Sequence, residues 1–329
     1  MQQQSFETMY QPLWQEFNAL LSNQDTFLYK QADRQQQSDQ QLRLPFLYKT
    51  LCHHLAIAKT RQYSPQLIDY LHHLVLRGHQ NLYRDKTLSL WRLVEFIWII
   101  FPQTFRQYIG YFYCSLGVFL IPACIVGTLC YQNSEFIYHL MPHHQVKSME
   151  EMYNPDNRQL GRTKKRESKT NLSMFGYYIY NNIGIGFRTF AGGMLFGLGS
   201  LFFLFYNGLI LGGVAGHLTA IGFSETFWSF VLGHGAFELT AIVICGMAGL
   251  MLGHQLVAPK AYRRADALKR ISPKAVIIVM GAALMLLIAA FIEAFWSSIQ
   301  MNLYIKYTVA TFLWVFVVWY LSQSGKNAA

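Results

Sequence analysis

The stretch Tyr180-Asn181-Asn182-Ile183-Gly184-Ile185-Gly186-Phe187-Arg188 decides how the rest of the chain is read. It leads into Gly193, Gly197, Asn207-Gly208, Gly212 and Gly216, and then into His234-Gly235-Ala236-Phe237-Glu238 with Gly246, Gly249 and Gly253. The surroundings are apolar and long enough to cross a bilayer. Amides, an arginine, a histidine and a glutamate in such a setting are costly to bury, so each is a functional candidate by default. Glycines four apart give a helix a smooth face on which a second backbone can lie closely. The stretch therefore predicts closely packed membrane helices around a polar core made of Asn181, Asn182, Arg188, Asn207, His234 and Glu238, with Glu293 further on.

Composition agrees. The 329-residue chain is 53% hydrophobic and 16% aromatic, and only 13% of it is charged. Soluble domains carry about 25% charged residues. The net charge of +10 fits lysines and arginines facing anionic lipid from the cytoplasmic side. No basic cluster is interleaved with a nucleic-acid-binding motif, so nucleic acid is not expected as a partner. The five cysteines are odd in number and none has metal-ligand spacing, so they read as apolar filler. Met1-Gln2-Gln3-Gln4 lacks the regions of a cleaved signal peptide. The first span, near Gly110, is expected to direct insertion.

Working outward, residues 1–105 read as a helical domain on the cytoplasmic side and 106–329 as the membrane domain. Phe6, Met9, Tyr10, Leu13, Phe17 and Leu20-Leu21 recur at helical spacing. Residues 24–41 read as a polar helix or linker. Leu44 to Arg61 forms a second helix, and Ser64-Pro65 caps a third that runs to Tyr83. Leu88 to Ile100 suits an interfacial helix, broken at Phe101-Pro102. Spans are expected at 108–131, 226–257, 275–296 and 303–321. The block 174–218 holds either two spans or an interfacial helix and one span, with a break at Gly192-Gly193. The basic connections are 132–173, centred on 158–169, and 258–274. Placing both the N-terminal domain and 258–274 in the cytoplasm requires an even number of crossings between them. The expectation is an all-α polytopic bundle of five or six spans, with six favoured.

His234 and Glu238, four apart, share one helix face. They form a structural lock with Arg188 or the paired amides, or a proton- or ion-carrying pair. Two residues are too few for a metal, since zinc takes three or four ligands. Arg188 is the natural carboxylate partner. Gly193, Gly197, Gly208, Gly212, Gly216, Gly249 and Gly253 serve packing, or alternatively a hinge or pore lining. They also suggest a homodimer. Gly197-Leu198-Gly199 follows no strand and is not a nucleotide loop. His53-His54, His72-His73 and His143-His144 form no metal pattern. No nucleophile setting and no cofactor motif is present, so an enzyme is not expected.

The order Asn181-Asn182, Gly193, Gly197, Asn207-Gly208, Gly212, His234-Gly235-x-x-Glu238-Leu239-x-Ala241, Gly249, Gly253 and Ile292-Glu293-Ala294-Phe295 resembles the stage II sporulation protein M family over residues 108–298. Gly233 stands where that family often has proline. Leu47-Tyr48-Lys49, Ala56, Ala58, Tyr70-Leu71, His79, Phe101-Pro102 and Phe105-Arg106 resemble the cytoplasmic extension of its Gram-negative branch. The resemblance implies a non-enzymatic component of the bacterial inner membrane, with the N-terminus cytoplasmic. Sporulation members join an assembly with cell-wall hydrolases. Other relatives tend to be encoded beside a MoxR-type AAA ATPase, a von Willebrand-like protein and an RDD-type membrane protein. The expected function is a scaffold that couples envelope proteins, with the ATPase docking on the cytoplasmic helices. The alternative is an ion- or proton-coupled transporter.

Overall fold

A computed structural model describes residues 2–26, 34–82, 90–156, 168–299 and 301–326. Among these the regular structure is helical throughout. The chain divides into two compact units, Met1–Ser89 and Leu90–Ala329.

The first unit is three helices: α1 (Gln3–Thr26), α2 (Arg34–Thr60) and α3 (Pro65–Leu82). Phe6, Trp14, Phe17 and Leu21 of α1 meet Leu47, Leu51 and Leu55 of α2 and Leu67, Leu71 and Leu74 of α3. Met9, expected with the apolar face, is exposed, and Trp14 takes the central place instead. Part of the polar stretch 24–41 belongs to α1 and α2, and residues 27–33 lie outside the described residues. Ser64 caps α3 as its spacing predicts, accepting from the Leu67 amide at 3.4 Å. Gln3 ties the same turn to the start of α1, donating to Ser64 Oγ at 2.8 Å.

Buried His54 accepts from Trp14 Nε1 at 3.1 Å through its Nδ1. Burial, with the neighbouring His53 adding repulsion, holds His54 below the ordinary histidine pKa. The unfolded chain therefore binds the proton more readily than the folded domain. This contribution to stability is complete above the ordinary histidine value. It is lost as pH falls from there through the folded value. We predict that Trp14 fluorescence reports unfolding at lower denaturant at pH 5 than at pH 7.5, and that His54→Gln flattens the difference.

The second unit begins with a helical run of α4 (Leu90–Glu95), a π turn (Phe96–Ile100) and α5 (Phe101–Gln107). The expected break at Phe101-Pro102 does not occur. Proline lacks an amide hydrogen, and the wider π turn just before it keeps the helix continuous. This segment packs with the membrane unit. Phe101 covers Gly281, Tyr320 donates to the Ile97 carbonyl at 2.5 Å, and Arg106 donates to the Leu321 carbonyl at 3.1 Å.

Among the described residues, five helices are long and apolar enough to cross a membrane: α6 (Ile109–Gln132), α9 (Leu198–Ala220), α10 (Ser224–Val257), α11 (Arg264–Ile292, extended by a π turn to Ser297) and α12 (Leu303–Gln323). Apolar side chains exposed on them, such as Ile121, Phe205, Phe291 and Val315, suit lipid. The charged connection 258–274 is shorter than expected, since α11 starts at Arg264 and carries Pro273 within it. Between α6 and α8 (Ser168–Ala191) lies α7 (His143–Tyr153). The basic centre 158–169 lies largely outside the described residues.

α8 carries Asn181, Asn182 and Arg188 and is more polar than these five, yet it packs within the same bundle. Its Tyr178 packs with Ala290 and Ala294, where α11 ends. Fifteen residues on, about 22 Å along a helix, Gly193 meets Gly249 and Gly253 meets Gly197, near the end of α10. A helix of 24 residues is about 36 Å long. Among the described residues, α8 is thus a further long helix packed among the five apolar ones, and hydropathy alone does not reveal it. A 3-10 turn at Gly192–Met194, followed by left-handed Phe196 and Gly197 (φ 55° and 86°), reverses the chain into α9. This is the break expected at Gly192-Gly193.

Candidate functional site: a polar cluster inside the bundle

The glycine ladder sets how closely the helices approach. A methyl group added at Gly208, Gly212 or Gly216 would overlap the backbone of Phe119, Ala123 or Gly127 in turn, so α6 and α9 touch backbone to backbone. Between the α8–α9 turn and α10, a methyl group at Gly193 would overlap the Gly249 backbone and one at Gly253 the Gly197 backbone. Those faces are used within one chain, so a homodimer would need other surfaces.

α10 runs through the centre of the bundle. His234 and Glu238, one turn apart on it, bring Nε2 within 3.9 Å of Oε2. Glu293 joins them from the π turn after α11, and one ligand atom from each of the three lies within 4.8 Å of the others. A π turn carries more residues per turn than an α-helix and is frequent at functional sites. Here it also presents Ser297, whose Oγ is 3.1 Å from His234 Nδ1. Lys306 of α12 is buried and donates to the Ser297 carbonyl at 2.9 Å. Asn182 of α8 faces Glu238. Its Oδ1 accepts from Asn181 at 3.0 Å, which leaves its amide NH2 for the carboxylate.

Tyr153, at the end of α7, closes the cluster from the connecting segment. Its ring rests on Phe227 and Phe230, and Thr226 donates to its carbonyl. Burial holds its hydroxyl well above the ordinary tyrosine pKa, and Glu293, Tyr178 and Glu238 add to this. It stays a neutral hydroxyl beside the carboxylates. The segment is also clipped to α9, where His217 contacts Ser134 Oγ and Glu150 Oε1, each at 2.8 Å.

Two expected members lie elsewhere. Arg188 is exposed and donates to the Gly184 carbonyl of its own helix. It does not partner either glutamate. The buried face of α8 carries Tyr178, Asn182, Gly186 and Thr189. Six residues past Asn182, at 100° each, Arg188 is turned roughly 240° away. Asn207 donates to the Phe203 carbonyl, also within its own helix. Of the histidine pairs, His54 is core, and His72, His73, His143 and His144 are exposed. The residues missing from the sequence reading are Lys306, Ser297 and Tyr153. A lone lysine four residues into the last span was a visible signal. The serine and tyrosine gave none.

Gly233 is not at a helix start, because α10 begins at Ser224. It lies against Trp296, whose ring would be 2.7 Å from an added methyl group. The glycine is thus explained by a close contact with the π turn that carries Glu293.

The fold and the polar cluster define an all-α polytopic membrane protein with a polar interior. The model of the family described as Stage II sporulation protein M matches residues 110–298, and the chain belongs to that family. Residues 4–84 match a domain of unknown function, DUF8413, which covers the three-helix unit. Neither the curated proteins nor the solved structures give a match.

Proposed function

We propose that this protein is a non-enzymatic scaffold of the bacterial inner membrane, with its N-terminus in the cytoplasm, that couples other envelope proteins. The observation that supports this reading is the backbone-to-backbone packing of α6 on α9 and of the α8–α9 turn on α10. Transporters that alternate access rock one part of the bundle against another. Helices interlocked through glycines at several levels make a stiff platform instead. The orientation rests on charge. Lys260, Arg263, Arg264, Lys269 and Arg270 gather at the end of the bundle where α10 gives way to α11, as the positive-inside tendency requires of a cytoplasmic face.

The three-helix unit is the proposed docking element. It exposes Met9, Phe46, Tyr70 and Leu76, apolar side chains available to a partner, among which a MoxR-type AAA ATPase fits the family resemblance. The second reading is an ion- or proton-coupled transporter, favoured by the buried His234 beside the half-buried Glu238 and Glu293.

Glu238→Gln separates the two, because it removes a charge at nearly constant shape. In a scaffold, affinity capture from native membranes should return the same partners with the variant as with the parent chain. In a transporter, ion or proton flux into proteoliposomes should fall to background. Flux by the parent chain that the substitution abolishes would overturn the scaffold reading.

A further inference from the structure

We propose that His234, Glu238 and Glu293 bind one divalent transition-metal cation of the zinc type within the bundle. Zinc was set aside on the sequence because α10 offers only two ligands, and the π turn after α11 supplies the third. Their ligand atoms lie within 4.8 Å of one another. An ion central to a triangle of that size is roughly 2.8 Å from each corner, against about 2.0–2.2 Å for zinc bound to nitrogen or oxygen. Small side-chain rotations close the difference.

Three further observations support the site. First, His234 is oriented as a metal ligand is. Nδ1 is engaged by Ser297 Oγ at 3.1 Å, which turns Nε2 toward the carboxylates. A hydrogen bond on the other ring nitrogen is the usual arrangement for a ligating histidine. Ser297 is itself held by Lys306 through its carbonyl. Second, the 3.9 Å between His234 Nε2 and Glu238 Oε2 is too long for a hydrogen bond. It suits two ligands placed around a shared ion. Third, Asn182 is 2% exposed and sets its amide on the Glu238 carboxylate, and ligating carboxylates are commonly held from behind by such a hydrogen bond.

The donor set selects the ion. An imidazole nitrogen disfavours calcium and magnesium, which take oxygen ligands, and suits zinc and its neighbours. A metal would join α10 to the π turn after α11, with α8 and α12 holding the ligands in place. The site does not depend on the scaffold reading, since metal content and partner capture are measured separately.

The test uses the full chain in detergent, stripped with a chelator and titrated with cobalt(II) as a spectroscopic probe. The expected result is one cobalt per chain, with d–d absorption bands and no thiolate charge-transfer band, since the ligands contain no sulfur. Glu293→Gln and His234→Gln should each lower cobalt affinity at least 100-fold, while Arg188→Gln should leave it unchanged. No stoichiometric cobalt in the parent chain, or equal binding by the two ligand variants, would overturn the proposal. If those variants fail to fold, Ser297→Ala decides. This change should weaken binding about 10- to 100-fold through the histidine alone, and unaltered affinity would count against the site.

Discussion

Gly212→Leu should prevent the membrane unit from folding in its present form. The Cβ alone would overlap the Ala123 carbonyl oxygen, and that oxygen belongs to the backbone of α6. A flexible side chain could move aside, but here a whole helix has to. Overpacking costs on the order of 1–3 kcal/mol where side chains can adjust and more where they cannot. This site belongs to the second kind. Gly208 and Gly216, one turn to either side, meet Phe119 and Gly127 in the same way, so the helices cannot part at one level only. Thermal unfolding in detergent should show loss of the cooperative transition. Gly110→Leu is the matched control, since nothing lies within 4 Å of an added Cβ there. It should leave the transition within a few tenths of a kcal/mol, as surface changes do. Equal effects at the two positions would mean that α6 and α9 do not pack as described.

Phe101→Ala should destabilise the same unit by about 3–5 kcal/mol, the usual range for removing a buried phenylalanine. Phe101 is 2% exposed. Its ring lies over Gly281, where a methyl group would collide with it, and against Tyr320 at a centroid distance of 6.2 Å. The contact therefore joins α5, α11 and α12. Without it the segment 90–107 keeps polar ties to α12 and the residues just after it, among them Arg106 to the Leu321 carbonyl and Gln103 to the Gly325 carbonyl, but loses its apolar anchor. Limited proteolysis should then cut within 90–107 much faster than in the parent chain. Gly281→Ala should produce the same cleavage by displacing the ring from the other side. An unchanged cleavage pattern in both variants would argue against that anchor.

How far the sequence could be read is clear from particular residues. The amphipathic face of α1 and the Ser64 cap are local features, governed by spacing and backbone hydrogen bonding, and both were legible. The turn at Gly192-Gly193 was legible for the same reason. α8 was harder. Its amides lower the hydropathy below that of a span, and only its contacts show that it passes inside the bundle, where neighbouring helices shield it from lipid. Arg188 was misread because a charge in an apolar block invites pairing with the nearest carboxylate in the sequence. Helical phase turned it outward instead. The tie of segment 90–107 to the membrane unit was hidden by Pro102, a residue that normally ends a helix and here sits beside a π turn.

The sequence by itself determined that this protein has membrane helices, that they approach closely at the glycines, and that a histidine and a glutamate share a face of α10. These follow from transfer energy and from the 3.6-residue repeat, which act along one segment at a time. Tertiary structure alone decided that Glu293, Ser297 and Lys306 complete the cluster, that Arg188 stays outside it, and that Gly212 meets Ala123. Helical periodicity fixes where a side chain points from its own axis, and only the packing of separate helices fixes what it meets there.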